Sequence, residues 1–178
     1  HVSLTNPKDV AKALNGINLG FKVNSKNVTE TYMNGLSVEA EIRQMRVSEN
    51  VSQVSAIKEV RHSMVEQQRK LGREKGVVLD GRDIGTVVFP NAELKLFMTA
   101  DLTLRAYRRQ RELLLKEQLV DLDEVIQNIV ARDKIDTTRA ESPLRKADDA
   151  VVIDTTNITI EEQVDEVVRL ALSKIIAN

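Results

Sequence analysis

Val77-Val78-Leu79-Asp80-Gly81-Arg82-Asp83-Ile84-Gly85-Thr86-Val87-Val88-Phe89-Pro90 is the stretch on which the reading of the fold turns. A short aliphatic run breaks into a loop that carries two acids, one guanidinium and two glycines. The apolar run then resumes as Thr86-Val87-Val88-Phe89 and stops at Pro90. Val77–Leu79 is too short for a helix and rich in β-branched residues, so it reads as a buried strand. Asp80-Gly81 at its carboxyl end reads as a turn. In open α/β sheets, ligands bind in the crevice outside the carboxyl ends of the strands. A fixed cation between two carboxylates suits a substrate that carries both a phosphate and hydrogen-bonding edges. The competing reading is a surface turn in which Arg82 pairs with its own neighbours.

Outward from this stretch, further strands and helices alternate. Glu93–Ala100 alternates charged and apolar side chains, as a strand does, and Ala150–Asp154 reads as a third, buried strand. Asp101 is placed to cap a helix that runs to about Gln118. Asp121 with Glu124 and Thr159 with Glu162 are capping-box pairs for two more. The last helix carries the stripe Val164, Val167, Val168, Ala171, Leu172 and Ile175. This alternation implies a parallel sheet with helical crossovers.

Ahead of the stretch, Asn6-Pro7-Lys8-Asp9 starts a helix with Val10, Ala13 and Leu14 on one face. Leu19–Val23 and Val28–Met33 flank Asn24-Ser25-Lys26-Asn27 as a hairpin, and Asn34-Gly35 marks a second tight turn. A small antiparallel sheet of two or three strands follows. Residues 38–71 read as two helices that break around Ser55-Ala56-Ile57.

Composition narrows the function classes. The chain has 178 residues, 42% hydrophobic and 30% charged, with a net charge of -1. That balance argues against a general nucleic-acid or membrane-surface binder. Without cysteine there are no disulfides or thiolate metal sites, and two histidines make a histidine metal centre a poor fit. No apolar run approaches a bilayer span, and no signal peptide is visible, which points to the cytoplasm. The chain opens at His1 without an initiator methionine, so its natural amino terminus is expected upstream.

Arginine carries the chemistry. Arg105, Arg108 and Arg109 lie at i, i+3 and i+4 of one helix, with Glu112 as the one acid near enough to neutralise them. Such guanidinium groups bind phosphate bidentately and offset charge on a transferring phosphoryl group. Arg132, Asp136 and Arg139 recur at i, i+4 and i+7, one face if the helix persists that far. A carboxylate there can accept from sugar hydroxyls while arginines take phosphate. The plain alternatives are a solvated helix face for the first set and an ordinary i,i+4 ion pair for the second. The standard phosphate-loop pattern Gly-x-x-x-x-Gly-Lys-Ser/Thr is absent; Gly16-Ile17-Asn18-Leu19-Gly20-Phe21-Lys22 has the wrong spacing.

With these residues in view, the chain resembles the bacterial cytidylate kinases of the nucleoside monophosphate kinase group. The matching strings are Val51-Ser52-Gln53-Val54-Ser55, Glu59-Val60-Arg61, Asp80 through Pro90, Arg105-Ala106-Tyr107-Arg108-Arg109, Arg132 through Arg139, Ser142-Pro143-Leu144 and Ala147-Asp148-Asp149-Ala150. The resemblance implies a P-loop-kinase-like α/β fold. It also implies that the family's amino-terminal strand, phosphate loop and following helix have no counterpart in this chain. Residues 1–55 would be a monophosphate-binding insert, and 56–178 the core α/β domain with an arginine-rich lid at about 105–120.

The implied activity is transfer of the ATP γ-phosphoryl group to CMP or dCMP, with Mg²⁺ between the phosphates and alignment plus charge neutralisation carrying the reaction. By the same resemblance Ser52, Arg61 and Asp83 recognise cytosine: its amine needs an acceptor, from Asp83 or Ser52, and its ring nitrogen and carbonyl need donors, from Arg61. Arg132 and Asp136 would hold the ribose, and Arg82 with Arg139 the monophosphate. Asp80 belongs with the substrate loop. Arg105, Arg108 and Arg109 would lie on the lid over the ATP phosphates. No residue of the chain is assigned to a metal, and none to the phosphate loop. The expected partners are the small-molecule nucleotides alone, with no nucleic acid and no membrane, for a monomer in the cytoplasm. Two readings stay open beside this one: a kinase for UMP, and a non-catalytic chain that binds a pyrimidine nucleotide or a partner.

Overall fold

Asn34 and Gly35 both take positive φ, 52° and 83°, as a tight two-residue hairpin requires. That turn closes β2 (Thr29–Met33) onto β3 (Leu36–Ser37), and the Asn24–Asn27 turn closes β1 (Leu19–Val23) onto β2. The antiparallel register pairs Leu19 with Met33 and Val23 with Thr29. The Asn24 side chain accepts from Lys26 and Val28 N–H groups at 2.9 and 3.0 Å and so holds the first turn.

The computed structural model describes residues 6–176, and leaves out the side chains of Pro7, Met45, Ser48, Glu49 and Ser52. The first five residues of the expected insert therefore lie outside it. Contacts divide the chain into two units. One comprises the residues up to Leu79 with Arg139–Ser142; the other runs from Asp80 to Thr138 and from Pro143 onward. This division follows packing and differs from the boundary at residue 55 expected from the resemblance.

In the first unit, Asn6 caps α1 (Pro7–Asn15) by accepting from Lys8 N–H at 3.1 Å, with Pro7 where its missing N–H costs nothing. Helix α1 packs on α3 (Lys58–Leu71), where Val10 and Val65 are buried. Helix α2 (Met45–Ser55) ends at the break expected from the sequence.

In the second unit, β4 (Leu96–Thr99) and β5 (Val151–Asp154) pair in parallel, with α4 (Leu102–Leu114) and α5 (Leu122–Thr138) in the connection between them. Asp101 caps α4 through Leu104 N–H at 3.1 Å, and Asp121 accepts from Asp123 N–H at 2.8 Å at the start of α5. Thr159 and Glu162 form the reciprocal capping box of α6 (Ile160–Ile176). Val88, Ala106, Leu113, Val125 and Ile153 are the buried apolar residues of this unit. The chain is thus mixed α/β, with a parallel pair and a separate antiparallel sheet. Among the described residues no helix is long and apolar enough to cross a membrane.

Several expectations give way. Val77–Leu79 is not a strand: neither sheet includes it, and Val78 is 99% exposed. A β-rich run becomes a strand only where a neighbour takes its backbone groups, and propensity cannot supply that neighbour. Ile84–Val88, expected as resumed apolar run, forms a π turn. Strand β4 is shorter than Glu93–Ala100, and in β5 only Ile153 is buried while Val152 is half-exposed. Helix α4 stops at Leu114 because Lys116, Glu117 and Gln118 N–H groups turn back onto Leu113 and Leu114 carbonyls, with Glu117 at φ 60°. Helix α5 stops at Thr138, so Arg139 does not continue its face. The α6 stripe exists, but no residue of that helix is buried.

Candidate functional site

Asp83 is 3% exposed and opens the π turn. Its carbonyl accepts from Val87 and Val88 N–H groups at 2.9 and 3.2 Å, and Phe89 N–H reaches Ile84 O at 2.7 Å. One carbonyl taking more than one amide winds the backbone tighter than a strand permits, which explains why Val87 and Val88 do not extend. Gly81 is required by crowding, since a Cβ there would stand 2.9 Å from Ile84 Cγ1.

From this loop Arg82 Nε donates to Asp136 Oδ2 at 2.9 Å. Asp136 lies in the last turns of α5 and its side chain is 4% exposed, against 45% for Arg82. Arg132 is one turn earlier and half-buried. Burial, then the Arg82 charge, pull its guanidinium below the usual arginine range; Asp136 opposes this, Arg109 adds to it, and Asp133 opposes it again. Arg132 Nε is buried and finds no hydrogen-bond partner among the described residues. Arg82, Arg132, Arg109, Asp136 and Asp133 therefore share one electrostatic neighbourhood, with three guanidinium groups to two carboxylates.

The α4 arginines are held otherwise. Arg105 grips Asp133 with both terminal nitrogens, at 2.7 and 3.1 Å, and this bond raises its affinity for the proton. Arg108 donates to Thr155 Oγ1 at 3.0 Å and to Thr155 O at 2.7 Å. Thr155 is itself buried and its hydroxyl donates to Thr99 O at 3.0 Å, tying α4 to the carboxyl ends of both β4 and β5. Arg109 pairs with the exposed Glu112 at 3.0 Å. The expectation that Glu112 alone could neutralise this row is corrected. Asp133, 28 residues from Arg105 in sequence, was the nearer acid, and no local spacing could reveal it.

In the other unit, Arg61 sits half-buried on α3 between Lys58 and His62, which reach Glu141 at 3.8 and 3.6 Å. Arg139 is 8% exposed and donates from Nε and Nη2 to Ser142 O at 2.9 and 2.7 Å. Asp80 is exposed, and the Ser52 side chain lies outside the described residues. Among the described residues no group of three His, Cys, Asp or Glu side chains could hold a metal ion.

The cytidylate kinase family model matches residues 1–173. A protein of Cytophaga hutchinsonii named cytidylate kinase is 61% identical over 177 residues, spanning 99% of this chain and 76% of that protein. Proteins of the same name from Flavobacterium psychrophilum and Parabacteroides distasonis are 51% and 48% identical, over 90% and 88% of this chain and 71% and 69% of their own lengths. Fold and matches together define a kinase of the α/β class. The chain belongs to the cytidylate kinase family, whose members are ATP-dependent enzymes.

Proposed function

We propose that this protein transfers the γ-phosphoryl group of ATP to CMP or dCMP. The supporting observation is the Arg82–Asp136–Arg132 cluster, in which a buried carboxylate organises guanidinium groups beside the Asp83 turn. In this reading Arg82 takes the monophosphate, and Arg132 with Asp136 the sugar. Asp83 accepts from the cytosine amine. In the other unit Ser52 and Arg61 are assigned to the base and Arg139 to the phosphate, while Asp80 belongs to the substrate loop. Arg105, Arg108 and Arg109 are assigned to the ATP phosphates. Planar, permanently charged donors suit that task because they neutralise non-bridging oxygens without needing a proton shift.

ATP brings Mg²⁺ in this reading, which lends the phosphates further charge neutralisation. The protein works as a monomer in the cytoplasm on small-molecule substrates. Uracil puts an acceptor where cytosine has its donor amine and a donor where cytosine has its acceptor ring nitrogen, leaving buried groups unmatched, so CMP is selected over UMP. Calorimetric titration with CMP, UMP and AMP tests this: CMP binds tightest, and equal affinity for all three defeats the base assignments. Preference for UMP makes the protein a uridylate kinase. Binding of CMP without turnover in the presence of MgATP makes it a nucleotide-binding chain only.

A further inference from the structure

Lys95 precedes β4, and its charge is drawn in from solvent: its side chain is 8% exposed, while that of its partner Asp149 is 64% exposed. Nζ donates to both Asp149 carboxylate oxygens, at 2.9 and 2.8 Å, and to the carbonyl of Pro90. Its own carbonyl accepts from Val151 N–H at 3.0 Å, so the residue is fastened to the start of β5 through main chain and side chain alike. The methylene stem passes over Gly85, where an added Cβ would stand 3.3 Å from Lys95 Cδ and 3.5 Å from Cγ. Lys95 thus touches the middle and the end of the segment that Asp83 begins.

We infer that Lys95 is a positioning residue for base selection, bracing the 83–90 segment from the β4–β5 pair so that the Asp83 carboxyl is held toward the nucleotide. The inference rests on the assignment of Asp83 to cytosine. Lysine suits the place because its stem can lie along apolar backbone while three donors at its tip reach separate acceptors. The glycine is part of the same device, since a side chain at 85 would push the stem away. As a plain ion pair with an exposed acid, Lys95 would contribute little.

Lys95→Met keeps most of the stem and removes the donors. It is expected to weaken CMP about tenfold and UMP less, narrowing the CMP-to-UMP preference, with kcat changed less than KM. Amide exchange at Val87, Val88 and Phe89 should quicken by a similar factor while amides of the β4–β5 pair stay protected. Gly85→Ala should also weaken CMP, and its effect should shrink in a Lys95→Ala background, where the stem that it meets is gone. A fall in melting temperature with unchanged preference between CMP and UMP overturns the inference and leaves Lys95 a structural tie. Additive effects of Gly85→Ala and Lys95→Ala overturn it as well. A wild-type chain that does not distinguish CMP from UMP overturns the Asp83 assignment itself, and this inference with it.

Discussion

Two groups of arginine, one along α4 and one drawn from the Arg82 loop and the last turns of α5, carry the same charge and stand in opposite circumstances in the fold. On α4 three guanidinium groups are matched with oxygen acceptors of the protein: Arg105 with Asp133, Arg108 with Thr155, Arg109 with Glu112. Around α5, Arg82 and Arg132 share the buried carboxylate of Asp136, while Asp133, which also acts on Arg132, gives both of its oxygens to Arg105. Matched partners hold a row in place until an anion competes for it; a group with surplus cations keeps a positive potential for an incoming anion. The number of arginines matters less than how many acceptors the fold has brought to them.

The strongest challenge to this contrast is Asp136→Ala, which leaves Arg82 and Arg132 facing each other with no anion between them. CMP affinity should fall about 100-fold, near 3 kcal/mol, and the melting temperature should fall with it, as calorimetry and thermal unfolding would show. Arg132→Met should separate the two properties. Affinity for CMP drops about 30-fold, while the melting temperature holds or rises because a half-buried cation beside Arg82 has been removed. A matching loss in both would mean that α5 is as much a fastening as α4. On α4, Arg108→Met should cost about 1–2 kcal/mol of stability through its lost bonds to Thr155, with CMP affinity unchanged; Arg109→Met should stay within about 0.5 kcal/mol.

The smallest effect concerns acid. The bond from Lys95 holds the Asp149 carboxyl below the usual carboxylate range. A group with a depressed folded-state pKa contributes stability above its unfolded pKa, and that contribution is lost as pH falls through the folded value. Asp149→Asn should therefore melt slightly lower than the wild type at neutral pH, and the gap should close as pH drops below the ordinary aspartate range near 4.

What could be read from the sequence was local chemistry. The Asn24–Asn27 and Asn34-Gly35 turns, the Asp101 cap and the Thr159–Glu162 box each depend on atoms a few residues apart, and each forms as expected. Val77–Leu79 failed because a strand is defined by its neighbour, and Val87-Val88 because Asp83 O gathers their amides into a turn. The candidate site divides the same way. Arg132 and Asp136 were visible as one helix face, and Arg82 as the cation of its loop. The Arg82–Asp136 and Arg105–Asp133 bonds join residues 54 and 28 positions apart, which spacing cannot foretell.

The two-pronged grip of Arg105 on Asp133 has a kinetic corollary. Any phosphate that recruits Arg105 must displace a resident anion, so the arginine trades one negative partner for another instead of emerging bare into water. If Arg105 serves the ATP phosphates as proposed, Asp133 would take it back when nucleotide departs, so capture would be reversible without a bare guanidinium at any stage.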